Sequence, residues 1–145
     1  MNNRYLDAAI AEARGYEVKW LECFEGEDFW YIAPLEMLRV HGEEATKQPC
    51  FKNHIGAWEI VPFWSEDGND MLELEAYMRA QGYHIHDMWY QYHKEAPDYG
   101  WYVSYVGHEH GLECGYAKGI ATIPLAHALA AIYALTGKEW EGEEM

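Results

Sequence analysis

The chain has 145 residues, close to the commonest size of one domain, and half of them are apolar or aromatic. That composition supports a packed core and argues against disorder. Ten Lys and Arg face twenty-five Asp and Glu, a formal charge of −15, which disfavours direct nucleic-acid binding and anionic membranes.

An acidic surface commonly serves solubility alone. Beyond that, the charge permits a basic protein partner or mimicry of nucleic acid. Seven Trp, twelve Tyr and four Phe are a heavy aromatic load for this length. A core of large side chains is the simpler account of them. The sharper one is a surplus that lines a pocket or an interface, where apolar bodies with polar tips are useful. Cys23, Cys50 and Cys114 form no CxxC pair, which predicts free thiols in a reducing compartment. The first residues lack a secretory pattern, and no stretch approaches a membrane span in length.

In chain order, residues 3–14 predict a short amphipathic helix. Asn3 is its N-cap, Leu6, Ala9, Ile10 and Ala13 are its apolar face, and Gly15 is its stop. The period then changes to two. Tyr16, Val18 and Trp20 begin a strand running towards Phe24, a turn follows over residues 25–28, and residues 29–32 return as the second arm of a hairpin. Residues 34–56 carry Pro34, Gly42, Pro49 and Gly56 and obey no single period. They read as an excursion from the core with a short helix at 34–40. Residues 58–61 predict a strand ended by Pro62. The capping-rich run from Ser65 to Asp70 leads into a helix with Met71, Leu74, Tyr77 and Met78 on one face, stopped by Gly82. Residues 83–93 and 100–106 alternate as two aromatic strands joined by a turn at 97–100. A short strand is expected around 112–118. Residues 123–136 form a nearly all-apolar helix, capped by Thr122, with Pro124 in its first turn and Gly137 at its end. The acidic tail at 138–145 is expected to fray.

This order predicts one α+β domain over residues 1–145: a mainly antiparallel sheet covered by helices, an α-β-α sandwich. On each aromatic strand, one face meets helices and the other is free for a ligand or partner. Met88, Tyr90 and Tyr92 oppose Trp89, and Trp101, Val103 and Tyr105 oppose Tyr102 and Ser104.

Candidate chemistry is sparse. His84 and His86 share a strand face by their spacing, and His108 and His110 repeat it with Cys114 four residues on. Were the strands neighbours, these side chains could surround a zinc ion, although no compact ligand signature is present. Rim histidines are the simpler account. No GxSxG, P-loop or GxGxxG occurs, and nothing marks a base for Cys50. The sequence therefore leans away from an enzyme, and it calls for no cofactor. Aromatic planes can stack on a nucleoside, and the scarce cations Arg79, Lys94 and Lys118 can meet its phosphates.

Several segments resemble the small phage ABA sandwich domains. Leu6 to Glu12 followed by Gly15-Tyr16-Glu17 is similar to their opening helix and aromatic strand. Phe63-Trp64-Ser65-Glu66-Asp67, the helix after it and Gly82-Tyr83 resemble their middle element. Ala121 to Ala126 and Thr136-Gly137 resemble their closing helix. The second helix departs from the family's Ala-Ala-Trp pattern with Met71-Leu72-Glu73-Leu74, and residues 34–56 have no counterpart. The resemblance implies an α-β-α sandwich and a bacteriophage or prophage origin, hence action in the host bacterial cytoplasm. The expected function is counter-defence by binding: a homo-oligomeric sponge that sequesters a nucleotide-derived immune signal. Trp64, Trp89, Trp101 and Tyr116 would stack on it, and Lys118 and Arg79 would meet phosphate. The alternatives are an acidic inhibitor of a basic host defence protein and a histidine-based metal enzyme.

Overall fold

A computed structural model describes residues 3–25, 30–32, 46–107 and 111–142. Three helices, α1 (Arg4–Ala13), α2 (Gly68–Ala80) and α3 (Ile123–Thr136), accompany seven strands in that set. The strands are β1 (Val18–Glu25), β2 (Trp30–Ile32), β3 (Thr46–Lys52), β4 (Trp58–Ile60), β5 (Tyr83–Gln91), β6 (Gly100–Gly107) and β7 (Glu113–Ile120). Every described pairing is antiparallel, and helices cover the strands, so the α+β class stands. The expected single sheet is divided in two, a four-stranded β2-β1-β3-β4 and a three-stranded β5-β6-β7. Helix α1 packs on β1 and β3 and also on α3, while α3 lies on β6 and β7 and α2 packs on β5 and α3. The α1–α3 contact thus joins the two sheets.

The predicted excursion at 34–56 is corrected by β3. Residues 46–52 are one of the two inner strands of the larger sheet, with Val18 opposite Phe51 and Cys23 opposite Thr46. Pro49 hid this strand, because a proline cannot donate to a ladder. It is tolerated because β4 pairs only with Cys50, Phe51 and Lys52. On that side, Pro49 is required only to accept a hydrogen bond from Val61 N, at 2.9 Å. The helix expected at 34–40 and the turn after residue 25 lie outside the described residues.

Helix α1 is fixed differently from the expectation. Asn3 has a helical backbone and makes no side-chain cap. Arg4 and Asp7 bind the helix instead. The Arg4 guanidinium donates to Asp7 Oδ2 (2.6 Å), Gln48 Oε1 (2.8 Å), Val61 O (2.5 Å) and Pro62 O (3.0 Å). Asp7 Oδ1 accepts from Ser65 N at 2.9 Å, and Phe63 lies under the guanidinium at 3.7 Å. Both charged side chains are buried. Burial is the largest influence on Asp7 and raises its carboxyl to about 6, against the pull of Arg4 and Ser65. A buried pair of this kind is tolerable because its remaining polar atoms find partners.

Helix α2 starts three residues earlier than its apolar face suggests. Asp67 accepts from the N–H groups of Asn69 and Asp70, which satisfies two free donors of the first turn. Helix α3 has the predicted bounds, with Thr122 Oγ1 accepting from Leu125 N and Gly137 at φ 78°. Its Ala126, Ala128, Ala130, Ala131 and Ala134 are buried. These small side chains let the helix backbone approach β7 closely. A Cβ added at Gly115 would lie 2.5 Å from Ala130 O and from Ala134 N. Around this contact Leu6, Ile10, Trp64, Leu74, Met78, Val103 and Tyr105 form one apolar cluster.

Candidate ligand-binding site

The aromatic strands pair as β5 with β6, and the alternation sorts their rings as predicted. Trp89 stands opposite Tyr102, and Tyr90 opposite Trp101. Trp101, Val103 and Tyr105 turn towards the helices, and Tyr105 reaches His127 of α3. Tyr102 and Trp89 therefore occupy the other face. Their rings lie 5.6 Å apart, and Tyr102 continues to Tyr116 of β7 at 6.5 Å with nearly parallel planes. Tyr116 in turn meets Tyr133 of α3 at 5.5 Å. A row of four rings thus crosses the three-stranded sheet and turns its β7 edge onto a helix.

That edge carries an open cleft of about 290 Å³ lined by Tyr116, Lys118, Leu129, Tyr133, Glu139 and Trp140. Leu129 and Tyr133 are one helical turn apart, so both point the same way. Gly137 ends the helix in a left-handed conformation, and the following residues bring Trp140 back against the core. Within the tail at 138–145, whose last three residues lie outside the described set, Trp140 is thus placed against the core. A second hollow of about 380 Å³ lies between α1 and the end of α3, with Ala9, Ile132 and Lys138 on its walls, and shares Glu139 and Trp140.

Of the six residues expected to hold a ligand, Tyr116 and Lys118 meet in the cleft. Trp89 belongs to the same row of rings but stands away from it, beyond Tyr102. Trp101 faces the opposite side of the sheet, 5.0 Å from Tyr90. Trp64 is 2 % exposed and structural, with its indole N–H donating to Glu73 Oε1 at 2.8 Å and Arg14 above its ring. Arg79 is on the exposed surface of α2, paired with Glu75. The aromatic residues therefore do not form one cage. Sequence reasoning missed Tyr133, Glu139 and Trp140. A tryptophan within an otherwise acidic tail was the available signal, since an unpacked indole has no reason to be there.

Of the four candidate histidines, His84 and His86 lie within the described residues. His84 and His86 are exposed on β5, and the register shifts between Ile85 and Asp87, so their simple two-residue spacing is broken by a bulge. His86 Nε2 lies 3.7 Å from Asp87 Oδ2. His108 and His110 are outside the described residues, and Cys114 Sγ donates to Leu112 O. Among the described residues, no three His, Cys, Asp or Glu side chains are placed to hold a metal. Cys23 and Cys50 are fully buried with their sulfurs 3.9 Å apart. Burial pushes the Cys50 thiol up to about 12, so it is protonated and unsuited to nucleophilic attack.

A further buried pair went unnoticed in the sequence. The Tyr105 hydroxyl and His127 Nε2 share a short hydrogen bond. Both side chains are fully buried, and His127 Nδ1 has no partner among the described residues. Burial lowers His127 to about 4 and raises Tyr105 above its ordinary value, so both are neutral at pH 7.

No family model, no curated protein and no solved structure matches the chain.

Proposed function

We propose that the chain is a binding protein that sequesters a nucleotide-type small molecule in the Tyr116–Tyr133–Trp140 cleft. The supporting observation is that three aromatic rings and the exposed cation Lys118 line one open hollow. Rings of this kind stack on any base, and a lysine supplies a point charge for a phosphate. At about 290 Å³ the cleft is at the small end of ligand pockets, which run from about 300 Å³ upwards. It suits one nucleoside unit, not two. Glu139 shares the wall with Lys118. That mixed charge favours a singly charged phosphate ester over a polyphosphate and offers an acceptor to a base N–H or a ribose hydroxyl. With the resemblance to phage proteins, this reading makes the chain a counter-defence sponge in the host cytoplasm.

Titration calorimetry and melting curves with cyclic mono- and dinucleotides and ADP-ribose-type ligands test this. At about 100-fold excess over the dissociation constant, ligand should stabilise the fold by about 2.7 kcal/mol. Lys118→Ala should weaken binding about tenfold and leave the ligand-free melting temperature unchanged, as expected for an exposed charge. Absence of any shift across the panel, or unaltered affinity in both Lys118→Ala and Tyr116→Ala, would refute the proposal.

A further inference from the structure

The β5 edge holds a surface that the cleft does not use. Among the described residues, nine large apolar or aromatic side chains are exposed, and five of them lie within residues 88–99: Met88, Trp89, Tyr90, Tyr92 and Tyr99. Tyr92 is 70 % exposed. Strand β5 is an edge of its sheet, bonded only to β6 among the described strands. Its first half packs on the core through Tyr83 and Ile85. The bulge between Ile85 and Asp87 then interrupts the strand, and Asp87 to Gln91 continue in regular register against Ser104 to Gly100. A regular edge with large exposed side chains is a template for another strand.

The charges choose the occupant. Asp87 is half exposed, and Glu95 and Asp98 follow it, against the single Lys94 within 87–99. A second copy of the chain would bring another −15 to this acidic surface. A cationic segment meets no such repulsion. The pleat defines its pattern as well. Asp87 and Trp89 stand on one face of β5, opposite Ser104 and Tyr102, whereas Met88 and Tyr90 stand on the other, opposite Val103 and Trp101.

We propose that β5 from Asp87 to Gln91 docks an extended basic segment of a protein partner, added as a strand at the open edge of the β5-β6-β7 sheet. Cations at every second position of that segment lie on the Asp87–Trp89 face, one pairing with the carboxylate and the next lying over the indole. The intervening apolar residues cover Met88 and Tyr90. Backbone hydrogen bonds supply affinity, and the alternating side chains supply specificity. This surface is separate from the cleft and does not depend on what the cleft binds.

The probe is a capped seven-residue peptide alternating Arg and Val, with a control of the same composition whose arginines are contiguous. Hydrogen exchange and affinity are measured on the full chain. The alternating peptide should slow exchange of the amides at 88–91 and bind about tenfold more tightly than the control, the scale of one good cation–aromatic contact with its ion pair. Asp87→Asn and Trp89→Ala should each remove most of that preference, the first without lowering the melting temperature. Equal binding of the two peptides, indifference to both substitutions, or protection elsewhere in the chain overturns the proposal. So does a dimer in solution that protects 88–91 without peptide, because the edge is then covered by a second copy.

Discussion

Replacing His127 by Gln is expected to make the fold less sensitive to acid. In the folded chain His127 is buried against Tyr105, and burial lowers it from 6.5 to about 4. Below about pH 6.5 the unfolded chain therefore takes up a proton that the folded chain refuses, so stability falls as pH falls. Between about pH 7.5 and about pH 4.5 this linkage amounts to about 2.5 kcal/mol for a group shifted from 6.5 to about 4. For a chain of this size that is a fall of roughly 8–10 °C in melting temperature. Asp7 works in the opposite direction. Its folded value of about 6 lies above the ordinary 3.8, so its contribution grows as pH falls through that window. The two effects nearly cancel in the wild type, and a flat pH profile would conceal both. The difference between wild type and His127→Gln removes the Asp7 contribution, which is common to both. Urea titrations of the two proteins across this range should show the wild type losing about 2.5 kcal/mol relative to the variant. A gap that does not change with pH would refute the reasoning, as would a His127 ring resonance that titrates near 6.5 in the folded protein.

Gly115→Ala should destabilise by about 3 kcal/mol, because the new methyl meets helix backbone that cannot rotate away. Gly68→Ala, which has no atom within 4 Å of its added methyl, should stabilise by about 0.5 kcal/mol in the same denaturation assay. Asp7→Ala takes the carboxyl acceptors away from the buried Arg4 guanidinium and from the Ser65 amide and should cost about 3–5 kcal/mol. Its stability should also fall more steeply than that of the wild type when pH is lowered from about 6 to about 4, since the acid-side gain is gone.

Local signals carried much of the fold. Helix α3 announced both ends through Thr122 and Gly137, and the aromatic strands announced their faces through alternation that holds on either side of the bulge between Ile85 and Asp87. Strand β3 was invisible because its evidence is not local. Thr46, Lys47, Gln48 and Pro49 show neither alternation nor β-branched density, and only the partners β1 and β4 make them a strand. The site was legible in its residue types more than in its membership. Tyr116 and Lys118 are close in sequence and share the cleft, whereas Trp64, read as a stacking surface, has its polar edge satisfied by Glu73 inside the core. Trp140 depends on the return of the chain after Gly137, a tertiary event that periodicity does not encode. The His127–Tyr105 pair escaped for the same reason, as the two residues are 22 positions apart on different elements.

The Arg4 clamp also has a bearing on the order in which the molecule can be completed. Its acceptors on Gln48, Val61 and Pro62 lie 44, 57 and 58 residues downstream, and the Ser65 amide that steadies Asp7 lies 58 residues beyond it. During synthesis the first helix is therefore made long before its native surroundings exist. Until about the sixty-fifth residue has emerged, Arg4 and Asp7 are better served by water than by protein. The opening element of the chain thus stays unlocked until partners made much later arrive, a high-separation closure of the kind that slows folding.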